Sequence, residues 1–150
     1  MSQCLIREFK REDLARVCEI EIESFPYPYP CQLFLLFYNL FPQLFLVVEC
    51  GGMVVGYSVG TIERGEKGHL ISIAIDRAHR GKGLGKALVK EFEARVRSLG
   101  VSRVVLEVSV KNEVALSLYK KLNYKVVSVL PSYYPNGEDA YLMLKELSQG

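Results

Sequence analysis

The sequence is short of metal ligands. Histidine occurs only at His69 and His79. The four cysteines, Cys4, Cys18, Cys31 and Cys50, all lie in the first third, and none forms a CxxC pair. That spacing offers no zinc site, so no metal is expected. The cysteines read instead as buried, reduced thiols of a cytoplasmic protein. The stretch from Met1 to Glu8 has no apolar core of the kind a signal peptide needs. The most apolar run, Cys31 to Val48, is broken by Asn39, Pro42 and Gln43. It falls short of the ~20 apolar residues of a membrane span, so no membrane is expected. Net charge is low as well. A formal +2 gives no case for nucleic acid as a partner.

What is present describes one domain over residues 1–150. Hydrophobic residues make up 49% and charged residues 24%, and a chain of this length buries roughly 68–70% of its unfolded surface. Leu5–Phe9 reads as a strand and residues 11–24 as a helix with Leu14, Val17 and Cys18 on one face. Pro26, Pro28 and Pro30 then force an extended, stiff loop carrying Phe25, Tyr27 and Tyr29. A very apolar helix follows over 31–40. Strands are predicted over 44–49 and 54–62, joined at Gly51-Gly52, and over 69–75 after a turn at 64–68. The period then changes to helical over 84–99, with Leu84, Leu88, Phe92 and Val96 four apart, and Gly100 stands where a helix ends. A strand over 104–108, a helix capped by Asn112, and strands over 125–130 and 140–144 complete the chain. The order β-α-α-β-β-β-α-β-α-β-β is an α/β (α+β) fold with a mostly antiparallel sheet and about four helices.

The sharpest local feature is Arg80-Gly81-Lys82-Gly83-Leu84-Gly85, placed between a strand and a helix. Glycines allow close approach of a ligand and positive φ, and the helix that follows presents unpaired N–H groups and the positive end of its dipole. An anion fits there. Arg77, Arg80, Lys82, Lys86 and Lys90 surround it, which suits a ligand carrying several phosphate charges. The alternative is a solvated βα turn. A P-loop is excluded because Gly85-Lys86 is followed by Ala87 and not by Ser or Thr. A dinucleotide fingerprint is excluded because Gly81, Gly83 and Gly85 are spaced GxGxG after strands that look antiparallel.

Arg80, Gly83 and Gly85 match (Arg or Gln)-x-x-Gly-x-(Gly or Ala), and the stretch resembles the acyl-CoA-binding motif of the GNAT N-acetyltransferase superfamily. Leu106-Glu107-Val108 with Asn112, Ala115, Leu118 and Tyr119 is similar to the LEV-x-x-x-N…A-x-x-LY segment of N-terminal protein acetyltransferases. Tyr133-Tyr134-Pro135-Asn136-Gly137-Glu138-Asp139-Ala140 is similar to their YY-x-x-GEDA segment. The likeness is to the ribosomal-protein alanine and archaeal N-terminal acetyltransferases, and it spans nearly the whole chain. It implies acetyl-CoA as co-substrate, with its pyrophosphate on the backbone from Gly81 through Lys82, Gly83, Leu84 and Gly85 to Lys86. It also implies that the pantetheine arm runs along Ile73, Ala74 and Ile75, and that Asn112 contacts the coenzyme. The implied acceptors are protein N-termini, ribosomal proteins among them.

Acetyl transfer needs a neutral amine, a donor for the tetrahedral oxyanion and a proton for the leaving thiolate. The resemblance assigns Glu107 as general base and Tyr119 as general acid, and the N–H around Ala74 is a candidate oxyanion donor. Read without it, Glu107 faces solvent or pairs with a lysine, and Tyr119 is a core aromatic. Burial of Glu107 within its apolar strand would make it a stronger base. His69 either assists the base or lies at the surface, and His79 reads as a surface residue. Phe25, Tyr27, Tyr29, Tyr133 and Tyr134 would flank the peptide, although the first loop also reads as a stiff connection. Glu138 and Asp139 read as structural. An α-amine of pKa ≈ 7.7–8.0 is roughly 10–20% neutral at pH 7, against about 0.04% for lysine. A modest carboxylate base therefore suits the α-amine. A small-molecule or lysine acetyltransferase and a non-catalytic CoA-binding module remain the alternatives. The apolar 31–41 segment is either core or a dock for a partner subunit.

Overall fold

Alternation of apolar residues builds the strands, and the computed structural model, which describes residues 3–64 and 66–147, shows how they pair. The strands are β1 (Cys4–Glu8), β2 (Phe45–Cys50), β3 (Met53–Glu63), β4 (Lys67–Ile75), β5 (Arg103–Ser109), β6 (Lys125–Leu130) and β7 (Ala140–Glu146). They form one sheet in the order β1-β2-β3-β4-β5-β7-β6. Every neighbouring pair is antiparallel except β4–β5. The helices are α1 (Leu14–Ser24), α2 (Cys31–Leu40), α3 (Leu84–Ser98) and α4 (Glu113–Lys121). The first turn of the expected 11–24 helix is a separate 3-10 turn, Arg11–Asp13. In the turn after β3, Gly65 lies outside the described residues.

Each face of the sheet has its own core. Leu88, Val89, Phe92 and Val96 of α3 and Leu116 and Tyr119 of α4 pack on Leu46, Val55, Leu70, Val104, Leu106 and Met143. On the opposite face Val17 and Ile20 of α1 and Phe34 of α2 pack on Phe45, Val47, Tyr57 and Val59. Helix α3 lies close because β3 and β4 are small beneath it. A Cβ on Gly68 would stand 2.8 Å from Val96 Cγ2, inside van der Waals contact. The 31–41 segment does not resolve into either single expectation. Phe34 is fully buried, while Leu36 and Leu40 are 50% and 55% exposed.

Two features of the sheet create the site. The parallel strands β4 and β5 are paired only at Gly68↔Val104 and His69↔Val105. Beyond that point they separate and leave a cleft through the sheet. The second feature is a bulge in β4. Val59 pairs with Ser72 and Gly60 with Leu70, so Ile71 is an extra residue. A one-residue slip exchanges the two faces of a strand. Leu70 therefore joins the α3 core, and His69 turns to the α1–α2 face, where Glu107 of β5 also points.

The cysteine expectation is overturned. Cys4 is bonded to Cys50, and Cys18 to Cys31. Among the described residues none is a free thiol. Pairing of β1 with β2 brings Cys4 opposite Cys50, and the α1–α2 packing brings Cys18 to Cys31. Both contacts depend on tertiary structure, so spacing along the chain does not reveal them.

Candidate active site

Where β4 and β5 part, a cavity of about 400 Å³ opens. That is within the usual range for a small-molecule site. Its walls are Leu70–Ile73 of β4 and Leu106–Ser109 of β5. Phe25, Tyr27 and Tyr29 close one side, Tyr133 and Tyr134 another, and Asn112 and Tyr119 line the α4 end. Glu107 and Tyr119 thus reach the same cavity from opposite faces of the sheet. Glu107 comes from the α1–α2 face, and Tyr119 from the core shared by α3 and α4.

Glu107 is not an isolated carboxylate in apolar surroundings. Its Oε1 lies 2.7 Å from Nε2 of His69, whose Nδ1 lies 2.5 Å from Oε2 of Glu63. The three side chains are 19%, 16% and 40% exposed in that order. Burial pulls the His69 pKa down, but hydrogen bonds and charge from Glu107 and Glu63 outweigh it and hold the ring above its ordinary value. His69 is therefore no surface histidine. It does not line the cavity but stands behind Glu107.

Tyr119 is buried and has no hydroxyl partner among the described residues. Burial, and next to it Tyr134, pushes its pKa well up, which keeps the proton on oxygen. The rim tyrosines respond to the same environment. Tyr29 is pushed up to about 12 by burial and then by Tyr133, Glu107 and Glu21. Tyr134 is pushed up to about 12 by burial and then chiefly by Tyr133 and Glu107. Tyr133 is raised by burial and Glu107. The rings of Tyr133 and Tyr134 meet edge to face at 5.0 Å. Glu138 accepts from Ser109 Oγ, and Asp139 accepts from the N–H of Ser132, so both brace this loop as expected.

Asn112 caps α4, its Oδ1 accepting from the Ala115 N–H at 3.1 Å. Of residues 73–75, Ile73 lines the cavity, while Ala74 and Ile75 pair with Tyr57 and Gly56 of β3. The glycine loop lies outside the cavity, where β4 gives way to α3. Gly81 and Gly83 have φ of 78° and 82°, the left-handed region that glycine enters without strain. Gly83 caps α3 with no side-chain bond, so the first N–H groups of the helix point outward. These amides fit a pyrophosphate. Arg80 also anchors the glycine loop. Its Nε donates to the Ile75 carbonyl at 2.8 Å and its Nη2 to Ser24 Oγ at 3.2 Å, tying the loop to β4 and α1. His79 is half-buried, with Nδ1 2.7 Å from Asp76, rather than free at the surface.

Two groups escaped the sequence reading. Glu63 is one. The other is Glu21, which is 2% exposed and lines the cavity. It accepts hydrogen bonds from the Tyr57 hydroxyl, from Ser72 Oγ at 2.7 Å and from the Tyr29 N–H at 3.0 Å. A signal for it was present. Leu14, Val17, Cys18 and Glu21 follow the i, i+3, i+4, i+7 spacing of a buried helix face.

Residues 14–124 match the Acetyltransferase (GNAT) family. An uncharacterised N-acetyltransferase of Methanocaldococcus jannaschii is 43% identical over 143 residues, which span 95% of this chain and 91% of that protein. An N-alpha-acetyltransferase of Sulfurisphaera tokodaii is 37% identical, spanning 95% of this chain and 92% of its own. The crystal structure of Ard1 from Thermoplasma volcanium superposes with a TM-score of 0.94 at 31% identity, covering 97% of this chain and 99% of that one.

Proposed function

The chain belongs to the GNAT family of N-acetyltransferases, and we propose that it moves the acetyl group of acetyl-CoA onto the α-amine of protein N-termini. The observation that carries this reading is the cleft, which has a carboxylate on one face of the sheet and a protonated phenol on the other. Acetyl-CoA and peptide bind together. The coenzyme pyrophosphate rests on the amides from Gly81 to Lys86, and the thioester reaches into the gap between β4 and β5. The peptide enters between the two tyrosine loops, whose hydroxyls bond its backbone.

The neutral amine attacks the thioester carbonyl from the Glu107 side. A proton passes from the attacking nitrogen to Glu107, and an N–H near Ala74 donates to the developing oxyanion. The carbon–sulfur bond then breaks, and Tyr119 gives its proton to the departing thiolate. Glu107 releases its proton to solvent and the tyrosinate recovers one from solvent. The reading places the enzyme in the cytoplasm, where new protein N-termini appear.

A positional peptide library incubated with acetyl-CoA tests it. Peptide α-amines are expected to be acetylated. Glu107→Gln and Tyr119→Phe should each lower kcat by roughly 10²–10⁴-fold, with acetyl-CoA affinity within about twofold of the parent. Turnover of polyamines or aminoglycosides without peptide turnover would reassign the acceptor. Coenzyme binding with no turnover at all, unchanged in both variants, would reduce the protein to a binding module.

A further inference from the structure

The transfer chemistry makes no use of Glu63, yet this carboxylate touches the machinery at one remove. It ends β3, where Thr61 faces His69 and Glu63 faces Lys67, so Glu63 and His69 are diagonal neighbours across the β3–β4 pair. Two carboxylates then grip one imidazole, with Nδ1 2.5 Å from Glu63 and Nε2 2.7 Å from Glu107. An ionised carboxylate can only accept, so both ring nitrogens donate and the ring is an imidazolium. The Oε1 atom of Glu107 is taken up by His69, while its Oε2 has no partner among the described residues.

Other charged and titratable groups face this assembly. From the α1–α2 loop comes Tyr29, with Glu21 of α1 behind it, and from the β6–β7 loop come Tyr133 and Tyr134, all three tyrosines feeling the Glu107 charge. On the same face Lys67 precedes His69 by two residues, and Arg103 at the start of β5 is paired with Glu146 at 3.0 Å. None of these bonds to the His69 ring.

We propose that Glu63 is a positioning residue that fixes the His69 ring and keeps it charged, so that one oxygen of Glu107 is held by Nε2–H and the other remains an ionised acceptor facing the cleft. This rests on Glu107 taking the amine proton. A ring without Glu63 is free to turn over. It also loses its proton at lower pH, and the neutral ring then holds Glu107 through Nε2–H without the positive charge.

Glu63→Gln keeps an acceptor oxygen for Nδ1–H and removes the charge. Three measurements test it: NMR titration of the His69 imidazole, the pH profile of kcat/KM for a peptide, and the same substitution in a His69→Gln background. The His69 midpoint should fall by about one pH unit, and the matching step in the pH profile should move with it. At neutral pH kcat/KM should fall about tenfold with KM for acetyl-CoA unchanged. In the His69→Gln background Glu63→Gln should add less than about twofold, since the two act as one unit. Glu63→Ala, which removes the acceptor too, should lose more. An unmoved His69 midpoint, or an undiminished tenfold loss in the His69→Gln background, overturns the proposal. If Glu107→Gln is inactive in that outcome, the base assignment stands alone. If Glu107→Gln retains full turnover, the base assignment falls and this proposal with it.

Discussion

Ser58 and Glu21 show two ways a polar side chain can be buried in this sheet. Glu21 is surrounded by three donors from β3, β4 and the rim loop, so its desolvation is offset by charge-assisted hydrogen bonds. Ser58 is fully buried, and its Oγ finds no partner among the described residues. It lies between Gly56, where a Cβ would meet Ile75 and Val48, and Gly60, where one would meet Phe92 of α3, so only small residues fit the α3-facing side of this stretch of β3. The hydroxyl there meets a size requirement and not a chemical one. Ser58→Ala should therefore raise stability by about 1 kcal/mol, read from urea denaturation. A loss of that size would mean that the hydroxyl has a partner after all. At this scale the sequence disclosed identities better than pairings. Glu107 and Tyr119 stood out within their motifs. Glu63 looked like any strand-end carboxylate, because its significance comes from a diagonal contact across β3 and β4.

The glycine loop and β4 do their work as elements. Gly83 needs its positive φ, whereas Gly85 lies inside α3, where a Cβ would meet Leu118 Cδ2 at an ordinary 3.7 Å. Gly83→Ala should cost roughly 1–2 kcal/mol and weaken acetyl-CoA binding, since the helix-start amides would be re-aimed. Gly85→Ala should keep binding and gain up to about 1 kcal/mol from helix propensity. Calorimetric titration with acetyl-CoA, beside thermal melts of both variants, checks the contrast. Equal losses in the two would refute the φ argument. The loop was legible in sequence because glycine spacing is local. The β4 bulge was not, since an alternating run such as His69 to Ile75 looks the same with or without an extra residue, and only its partner strand fixes the register.

Across the whole molecule, two disulfides join segments that the sheet and helices bring together. Cys4–Cys50 spans 46 residues of chain and Cys18–Cys31 spans 13. Closing loops of these lengths in the unfolded chain is worth about 4 and about 3 kcal/mol. Such bonds are uncommon in reducing compartments, so they bear on the proposed cytoplasmic location. Reduction should lower the melting temperature by roughly 10–20 °C. Serines at positions 18 and 31 should raise KM for peptide more than for acetyl-CoA, because this bond encloses the loop carrying Tyr27 and Tyr29. Serines at positions 4 and 50 should leave both KM values alone. Acid-quenched alkylation of the protein taken from cells reads its thiol state directly, and four alkylated cysteines would show the bonds open there. The sequence by itself determined the order of strands and helices, the place of the glycine loop, and the motifs that carry Glu107 and Tyr119. These follow from local periodicity, turn chemistry and motifs within a few residues of one another. Only the tertiary structure decided the parting of β4 and β5, the bulge that turns His69 toward Glu107, the Glu63 and Glu21 contacts and the cysteine pairing. Each of these is a relation between segments far apart in the chain, set by strand register and packing, and no local pattern encodes it.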